Sequence, residues 1–206
     1  MAHGRFITLE GGEGAGKSTL SRSLAEVVRA RGNDVHITRE PGGAPGADAI
    51  RALLVQGDAK RWSALEEALL FAAARLNHLV HTIRPALARG AWVICDRYYD
   101  STRAYQVGGG GLEGGVLDQL NTLIGADRPD LTLILDVTPA QGLGRSRGAA
   151  LGEDRFERKD AAFHARVRAE FLAIAAREPA RCALLDASGT PEDVLVRALA
   201  EIEARL

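Results

Sequence analysis

Short runs of consecutive apolar or β-branched residues alternate along this chain with longer stretches whose apolar positions recur every three or four residues. Phe6-Ile7-Thr8-Leu9, Val35-His36-Ile37-Thr38, Trp92-Val93-Ile94-Cys95, Leu131-Thr132-Leu133-Ile134-Leu135 and Cys182-Ala183-Leu184-Leu185 each read as a buried strand. Leu20, Leu24, Val27 and Val28 predict a helix that ends at Gly32. Ala64 to about Arg89 predicts a long apolar helix, adjusted at Pro85, which has no N–H to donate. Val116, Leu117, Leu120, Leu123 and Ile124 mark another helix, and Phe163, Val167, Phe171 and Ile174 share the face of a further one. The last helix opens at Thr190-Pro191-Glu192-Asp193, an N-cap with Pro at the first helical position, and presents Leu195, Leu199, Ile202 and Leu206. Continuous apolar strands separated by helices imply an α/β fold: a five-stranded parallel sheet flanked by helices on both faces. Ligands in such folds bind beyond the carboxyl ends of the strands, so the chemistry is expected there.

Composition narrows this picture. The chain has 206 residues, the size of a single domain over 1–206, and can bury a core without disulfides or metals. Its 46% apolar and 26% charged residues exclude general disorder. No apolar run approaches the roughly 20 residues of a membrane span. A net charge of −1 argues against nucleic acid as a general electrostatic partner. Met1 to Arg5 lacks the charged-then-apolar pattern of a signal peptide. Cys95 and Cys182 both lie in apolar runs and read as reduced, buried thiols. Together these lead to the expectation of a cytoplasmic protein. Lys17, Lys60 and Lys159 are the lysines of an Arg-rich chain, so a position that keeps Lys is a candidate for a compact ammonium.

Lys17 lies in such a place. Gly11-Gly12-Glu13-Gly14-Ala15-Gly16-Lys17-Ser18 fits G-x-x-x-x-G-K-[ST] in full, between a strand and a helix. Glycines let backbone N–H groups converge on phosphate oxygens, and the helix N-terminus adds partial positive charge. Gly11 to Ser18, with Thr19, is therefore the expected ATP-binding segment. Lys17 is expected to reach the β- and γ-phosphates and Ser18 to ligate Mg²⁺. A Gly-rich turn that binds nothing is the competing explanation, disfavoured by the complete motif in its context. No Asn-Lys-x-Asp run reads guanine, which weakens a GTPase, and the chain is short for a motor.

Other candidates also follow strands. Arg39, in Thr38-Arg39-Glu40-Pro41-Gly42-Gly43, serves as an anion holder or as half of a surface pair with Glu40. Asp96 is placed like the acid of a magnesium shell, and Arg97 like a bidentate phosphate clamp. Tyr105 and Gln106 follow in a segment rich in hydrogen-bonding groups. Phe71 and Arg75 share a helix face, which suits a core ring beside a surface cation as well as a base-stacking ring beside a base-reading guanidinium. Arg145 and Arg147, a Gly/Ala-rich stretch, then Arg155 and Arg158 suggest a short mobile lid over about 145–158 that brings arginine to transferring phosphates.

These segments together resemble the thymidylate kinases, P-loop nucleoside monophosphate kinases. The likeness covers nearly the whole chain. It is loose over Phe6 to Leu9 and close over Glu10 to Ser18, Arg39 to Gly43, Phe71 to Arg75 and Asp96 to Gln106. Asp96 to Gln106 is similar to the family signature D-R-[YFH]-x-x-S-x-x-A-Y-[QS], and Asp154-Arg155-Phe156-Glu157 to its lid run D-R-[IF]-E. The resemblance implies a P-loop NTPase fold and transfer of phosphate from MgATP to dTMP, giving ADP and dTDP for dTTP synthesis. It implies that Phe71 stacks on thymine while Arg75 and Thr102 read its polar edge. Arg39 and Arg97 would hold the acceptor phosphate, and Glu13 would contact the acceptor. Tyr105 would crowd the sugar 2′ position, with Gln106 nearby, and Asp96 would join Ser18 at the metal. The loop carries no Arg at Gly12 to Ala15, so the chain resembles the bacterial type, with its catalytic arginine in the lid. Lys17, Arg97, Arg147 and Arg155 are the expected catalytic residues. A homodimer is implied, for which the helix from Ala64 is available, with adenine near Asp186 to Gly189. Another monophosphate acceptor, or a regulatory nucleotide switch without acceptor, are the alternatives.

Overall fold

A computed structural model describes residues 4–146 and 155–206. Its sheet comprises β1 (Phe6–Gly11), β2 (Val35–Arg39), β3 (Trp92–Asp96), β4 (Leu131–Asp136) and β5 (Cys182–Asp186). All neighbours pair in parallel, in the order β2-β3-β1-β4-β5. Every expected strand is present, and each runs further than its apolar stretch. The extensions are Glu10 and Gly11, Arg39, Asp96, Asp136 and Asp186. Ladder pairing continues where side chains turn polar, because Asp96 still pairs with both Leu9 and Arg39 across the sheet. The polar ends therefore gather along one edge. The chain runs from β1 outward to one side and returns to continue on the other, so the loop after β1 lies at the topological switch point.

The helices are α1 (Lys17–Ala30), α2 (Pro45–Val55), α3 (Ala64–His78), α4 (Arg84–Ala88), α5 (Tyr99–Thr102), α6 (Gly114–Leu123), α7 (Pro139–Ser146), α8 (Ala161–Arg177) and α9 (Pro191–Arg205). The apolar periodicity assigns no element to α2, which buries only Ala47, Leu54 and Val55. The long helix from Ala64 is present as α3 and α4 joined by a π-helical turn, Leu79–Ile83. That turn lies just before Pro85, where the missing N–H breaks the regular ladder. A second π-helical turn, Arg103–Gly109, continues α5. α1 and α9 cover one face of the sheet with Leu20, Leu24, Val28, Val194, Ala198 and Ile202. The buried stripe of α9 thus centres on Val194, Ala198 and Ile202, while Leu195, Leu199 and Leu206 are half-covered at its margin. The other face packs Phe6, Leu79, Ile83 and Val93 in one cluster, and Tyr105, Ile134, Phe163 and Phe171 in another. Cys95 and Cys182 are free and buried, as expected.

Candidate active site

The loop after β1 turns on glycines at positive φ, 62° at Gly14 and 95° at Gly16. A Cβ on Gly14 would stand 1.9 Å from the Gly142 carbonyl oxygen, so loop and α7 meet backbone to backbone. Gly16 starts α1, whose first turn has neither a capping side chain nor an acid, leaving its N–H groups to face an anion. Lys17 Nζ donates to the carbonyls of Gly11 (3.2 Å) and Gly12 (2.7 Å). Burial, and then the Arg97 charge, push this ammonium down to about 8, against the pull of Asp96 and Glu13. Ser18 Oγ lies 2.5 Å from Asp96 Oδ2, which brings a hydroxyl and a carboxylate together at the mouth of the loop. A cavity of about 610 Å³ opens over these groups, with Arg39, Arg51, Arg97 and Arg145 in its wall.

Arg97 is the one non-glycine residue at positive φ (69°) among the described residues. Such a backbone costs roughly 1–3 kcal/mol and persists only when its surroundings hold it. Here Glu10, wholly buried at the end of β1, accepts from the Tyr98 N–H (2.8 Å) and from Ser101 Oγ (2.5 Å). Burial and the neighbouring Asp100 raise the Glu10 carboxyl above its usual range. The Arg97 guanidinium donates to the Gly11 carbonyl (2.9 Å), Ser101 Oγ (3.1 Å) and Tyr105 Oη (3.2 Å), and pairs with Glu13 Oε2 at 3.0 Å. Tyr105 Oη donates to Glu13 Oε1 at 2.7 Å. Burial raises the Glu13 carboxyl, but Arg97, Lys17 and the Tyr105 hydroxyl outweigh it and hold it down at about 2.

A second, smaller cavity of about 120 Å³ adjoins the first, and Glu13, Glu40, Arg51 and Arg97 belong to both. Phe71, Arg75, Thr102, Tyr105 and Gln106 line it. Arg75 is 1% exposed, which excludes a surface arginine beside a core ring. Its Nε donates to Glu40 Oε2 (2.8 Å) and its Nη2 to Thr102 Oγ1 (2.9 Å), while Nη1 is buried without a partner among the described residues. His78 Nδ1 lies 3.1 Å from Glu40 Oε1, and His78 Nε2 lies 2.7 Å from Thr38 Oγ1. Gln106 Nε2 donates to Glu67 Oε2 at 2.7 Å, and Gln106 Oε1 is likewise buried without a partner among the described residues. The phosphate loop thus sits beside a compartment lined by two residues that each hold one such unsatisfied atom, a donor and an acceptor.

The thymidylate kinase family model matches residues 9–197, from within β1 to the first half of α9. The chain belongs to the thymidylate kinase family. It is 52% identical over 204 residues to the thymidylate kinase of Rhizorhabdus wittichii, covering 97% of this chain and 98% of that one. It is 54% identical over 188 residues to that of Caulobacter vibrioides, covering 91% and 90%. The crystal structure of thymidylate kinase from Ehrlichia chaffeensis superimposes with a TM-score of 0.79 at 35% identity, covering 97% of this chain and 99% of the other. The fold is therefore the P-loop NTPase fold of a kinase.

Within that family framework, most expected site residues converge. Gly14 to Thr19, Arg39, Asp96 and Arg97 line the large cavity, and Phe71, Arg75, Thr102, Tyr105 and Gln106 the small one. Thr102 acts first as an acceptor for Arg75. Arg145 donates to the carbonyls of Ala187 (3.0 Å) and Ser188 (3.2 Å), beside the loop expected for adenine. Arg147 and most of the lid stretch lie outside the described residues. Arg155 stands apart from these residues. It does not line the phosphate cavity; its guanidinium is wholly buried, donating to the carbonyls of Leu54 (3.1 Å) and Asp58 (3.0 Å) and to Glu67 Oε1 (2.5 Å). Burying a guanidinium requires that its donors be satisfied, and these three acceptors do so away from the loop.

Sequence reasoning missed Arg51, Glu40, Glu67 and His78. Arg51 stands on the unassigned α2, lines both cavities and donates to the Pro41 carbonyl at 2.8 Å. Glu67 precedes Phe71 by four residues as Phe71 precedes Arg75, and that helical spacing was the available signal.

Proposed function

We propose that the protein transfers the γ-phosphoryl group of ATP to dTMP, releasing ADP and dTDP. The observation that carries this reading is a pair of buried atoms unpartnered among the described residues, Arg75 Nη1 and Gln106 Oε1, on two residues that line the small cavity. A donor and an acceptor complement the O4 and N3–H of thymine, and unsatisfied buried polar groups are rare unless a ligand completes them. Phe71 offers a ring for stacking, and Tyr105 the bulk that would disfavour a 2′-hydroxyl.

The rest follows from charge and position. ATP lies with its phosphates on the loop and the start of α1, with Lys17 along the β- and γ-phosphates. Ser18 and Asp96 offer the hydroxyl and single carboxylate that suit Mg²⁺, which is commonly held by one or two such groups and by phosphates. When bound, the ion supplies neutralisation of charge on the phosphate oxygens. Arg51 and Arg97, which line both cavities, and Arg39, which lines the larger one, would hold the acceptor phosphate. Two anions are thereby brought in line, and no acid–base dyad is needed because positioning and electrostatics carry phosphoryl transfer. Arg147 remains the lid candidate for a transition-state arginine. We place the reaction in the cytoplasm, in keeping with two unpaired, buried thiols. We also assign a homodimer, supported by half-exposed Leu65, Leu69, Leu76 and Val80 along α3 and the turn after it.

ADP release with MgATP and a panel of dTMP, dUMP, UMP, dCMP, AMP, GMP or no acceptor tests the reading. Strong stimulation by dTMP, with dUMP weaker, is expected. Stimulation by another monophosphate alone overturns the base assignment, and slow hydrolysis indifferent to every acceptor favours a nucleotide switch.

A further inference from the structure

We infer that the buried ion pair of Glu67 and Arg155 sets the orientation of the Gln106 amide, and so makes the base cavity select a pyrimidine-2,4-dione over a 4-aminopyrimidine. The inference rests on assigning the small cavity to the acceptor base. Arg155 Nη2 donates to Glu67 Oε1 at 2.5 Å, and Gln106 Nε2 donates to Glu67 Oε2 at 2.7 Å. Arg155 and Gln106 are 0% exposed and Glu67 5%, so water is not at hand to replace either bond. A guanidinium has only donors, and a carboxylate facing it has only acceptors. The chain of bonds therefore has a direction. Gln106 must turn its NH₂ toward Glu67 and its oxygen away, and that oxygen is left without a partner on a residue that lines the cavity.

Packing alone does not fix this direction. The oxygen and NH₂ of an amide are nearly equal in size, so a half-turn leaves the shape of the cavity intact and reverses its chemistry. With the oxygen inward, the cavity accepts from an N3–H. With the NH₂ inward, it favours the bare N3 of a 4-aminopyrimidine. Arg155 is held from turning by the Leu54 and Asp58 carbonyls, which anchors the whole chain. Arg155 is then a positioning residue, acting through Glu67 and Gln106.

Glu67→Gln tests this while keeping shape. Arg155 still requires an acceptor and takes the oxygen of the new amide. The NH₂ of that amide is left to face Gln106, which must turn over. The expected result is a fall in kcat/KM for dTMP of about tenfold or more, carried by KM, with a comparable rise in the dCMP-to-dTMP ratio. KM for MgATP should not change. Glu67→Gln combined with Gln106→Glu returns an acceptor to the cavity and should recover dTMP use. A ratio within about twofold of wild type in folded Glu67→Gln overturns the inference. Should that variant fail to fold, the free wild-type protein decides. NOEs from the Gln106 NH₂ protons to Glu67 are expected before any nucleotide is added, and their absence overturns the proposal. This second measurement is independent of the acceptor panel, so loss of the dTMP reading and loss of the amide relay give different results.

Discussion

Arg97 Nη2 stands 3.0 Å from Glu13 Oε2, joining the turn after β3 to the loop after β1 at the boundary of the two cavities. The pair holds a positive charge where two phosphate-bearing ligands would meet, and Tyr105 closes the ring by donating to the same carboxylate. Arg97→Ala should lower kcat/KM for dTMP by roughly 10²-fold, within the range for truncating one partner of a hydrogen-bonded charge pair, while KM for MgATP changes little. Equal losses for both nucleotides in steady-state kinetics would contradict a clamp on the acceptor.

Lys17 gives a pH dependence. Its ammonium donates only while protonated, and burial together with Arg97 brings it down to about 8. Activity toward MgATP, measured as kcat/KM, reports the free enzyme and should therefore fall as pH rises through about 8. A profile flat well beyond that value would remove Lys17 from phosphate binding. Lys17→Ala should cost on the order of 10²–10³-fold in kcat below about pH 8, where the wild-type ammonium is charged.

The two lid arginines should separate kinetically. Arg147→Ala should lower kcat by roughly 10³-fold or more if it supplies charge to the transition state, with KM for dTMP little changed. Arg155→Ala should act mainly on KM for dTMP, because its donors are committed to Leu54, Asp58 and Glu67. Steady-state kinetics with dTMP varied at saturating MgATP reads both. Matching losses of kcat in the two variants would return Arg155 to the phosphates.

Below the site, Arg181 holds Asp100 through two bonds of 2.7 and 3.0 Å, and both side chains are 2% exposed. Asp100→Ala leaves this guanidinium with Glu178 and Thr132 but without its buried countercharge. The loss should be about 3–5 kcal/mol, read as a lower thermal midpoint. A midpoint within a degree of wild type would show that the pair contributes nothing.

The half-exposed stripe on α3 predicts a separate phenotype. Leu69→Glu with Leu76→Glu should shift sedimentation from dimer to monomer while leaving the thermal midpoint of the monomer fold nearly unchanged, since these side chains are 49% and 40% exposed. A monomeric wild-type protein would remove the dimer assignment.

The sequence by itself determined the five strands, most of the helices and the phosphate loop, because each is a local pattern: apolar runs, helical periods, glycines at set spacing. It also named Arg97, Phe71, Arg75 and Gln106, since they follow strands or share a helix face. It stopped each strand where its side chains turned polar, one residue short at four strands and two short at β1. It found no α2, whose burial is sparse, and with it missed Arg51. Only the tertiary structure decided where Arg155 points, because a guanidinium beside a lid stretch and one tied to Leu54, Asp58 and Glu67 read alike along the chain. The same holds for Glu67, Glu40 and His78, whose partners lie 39, 35 and 38 positions away. Buried hydrogen bonds between distant segments leave no period in a sequence. Their direction, donor toward acceptor, is set when packing excludes the water that would otherwise satisfy either end.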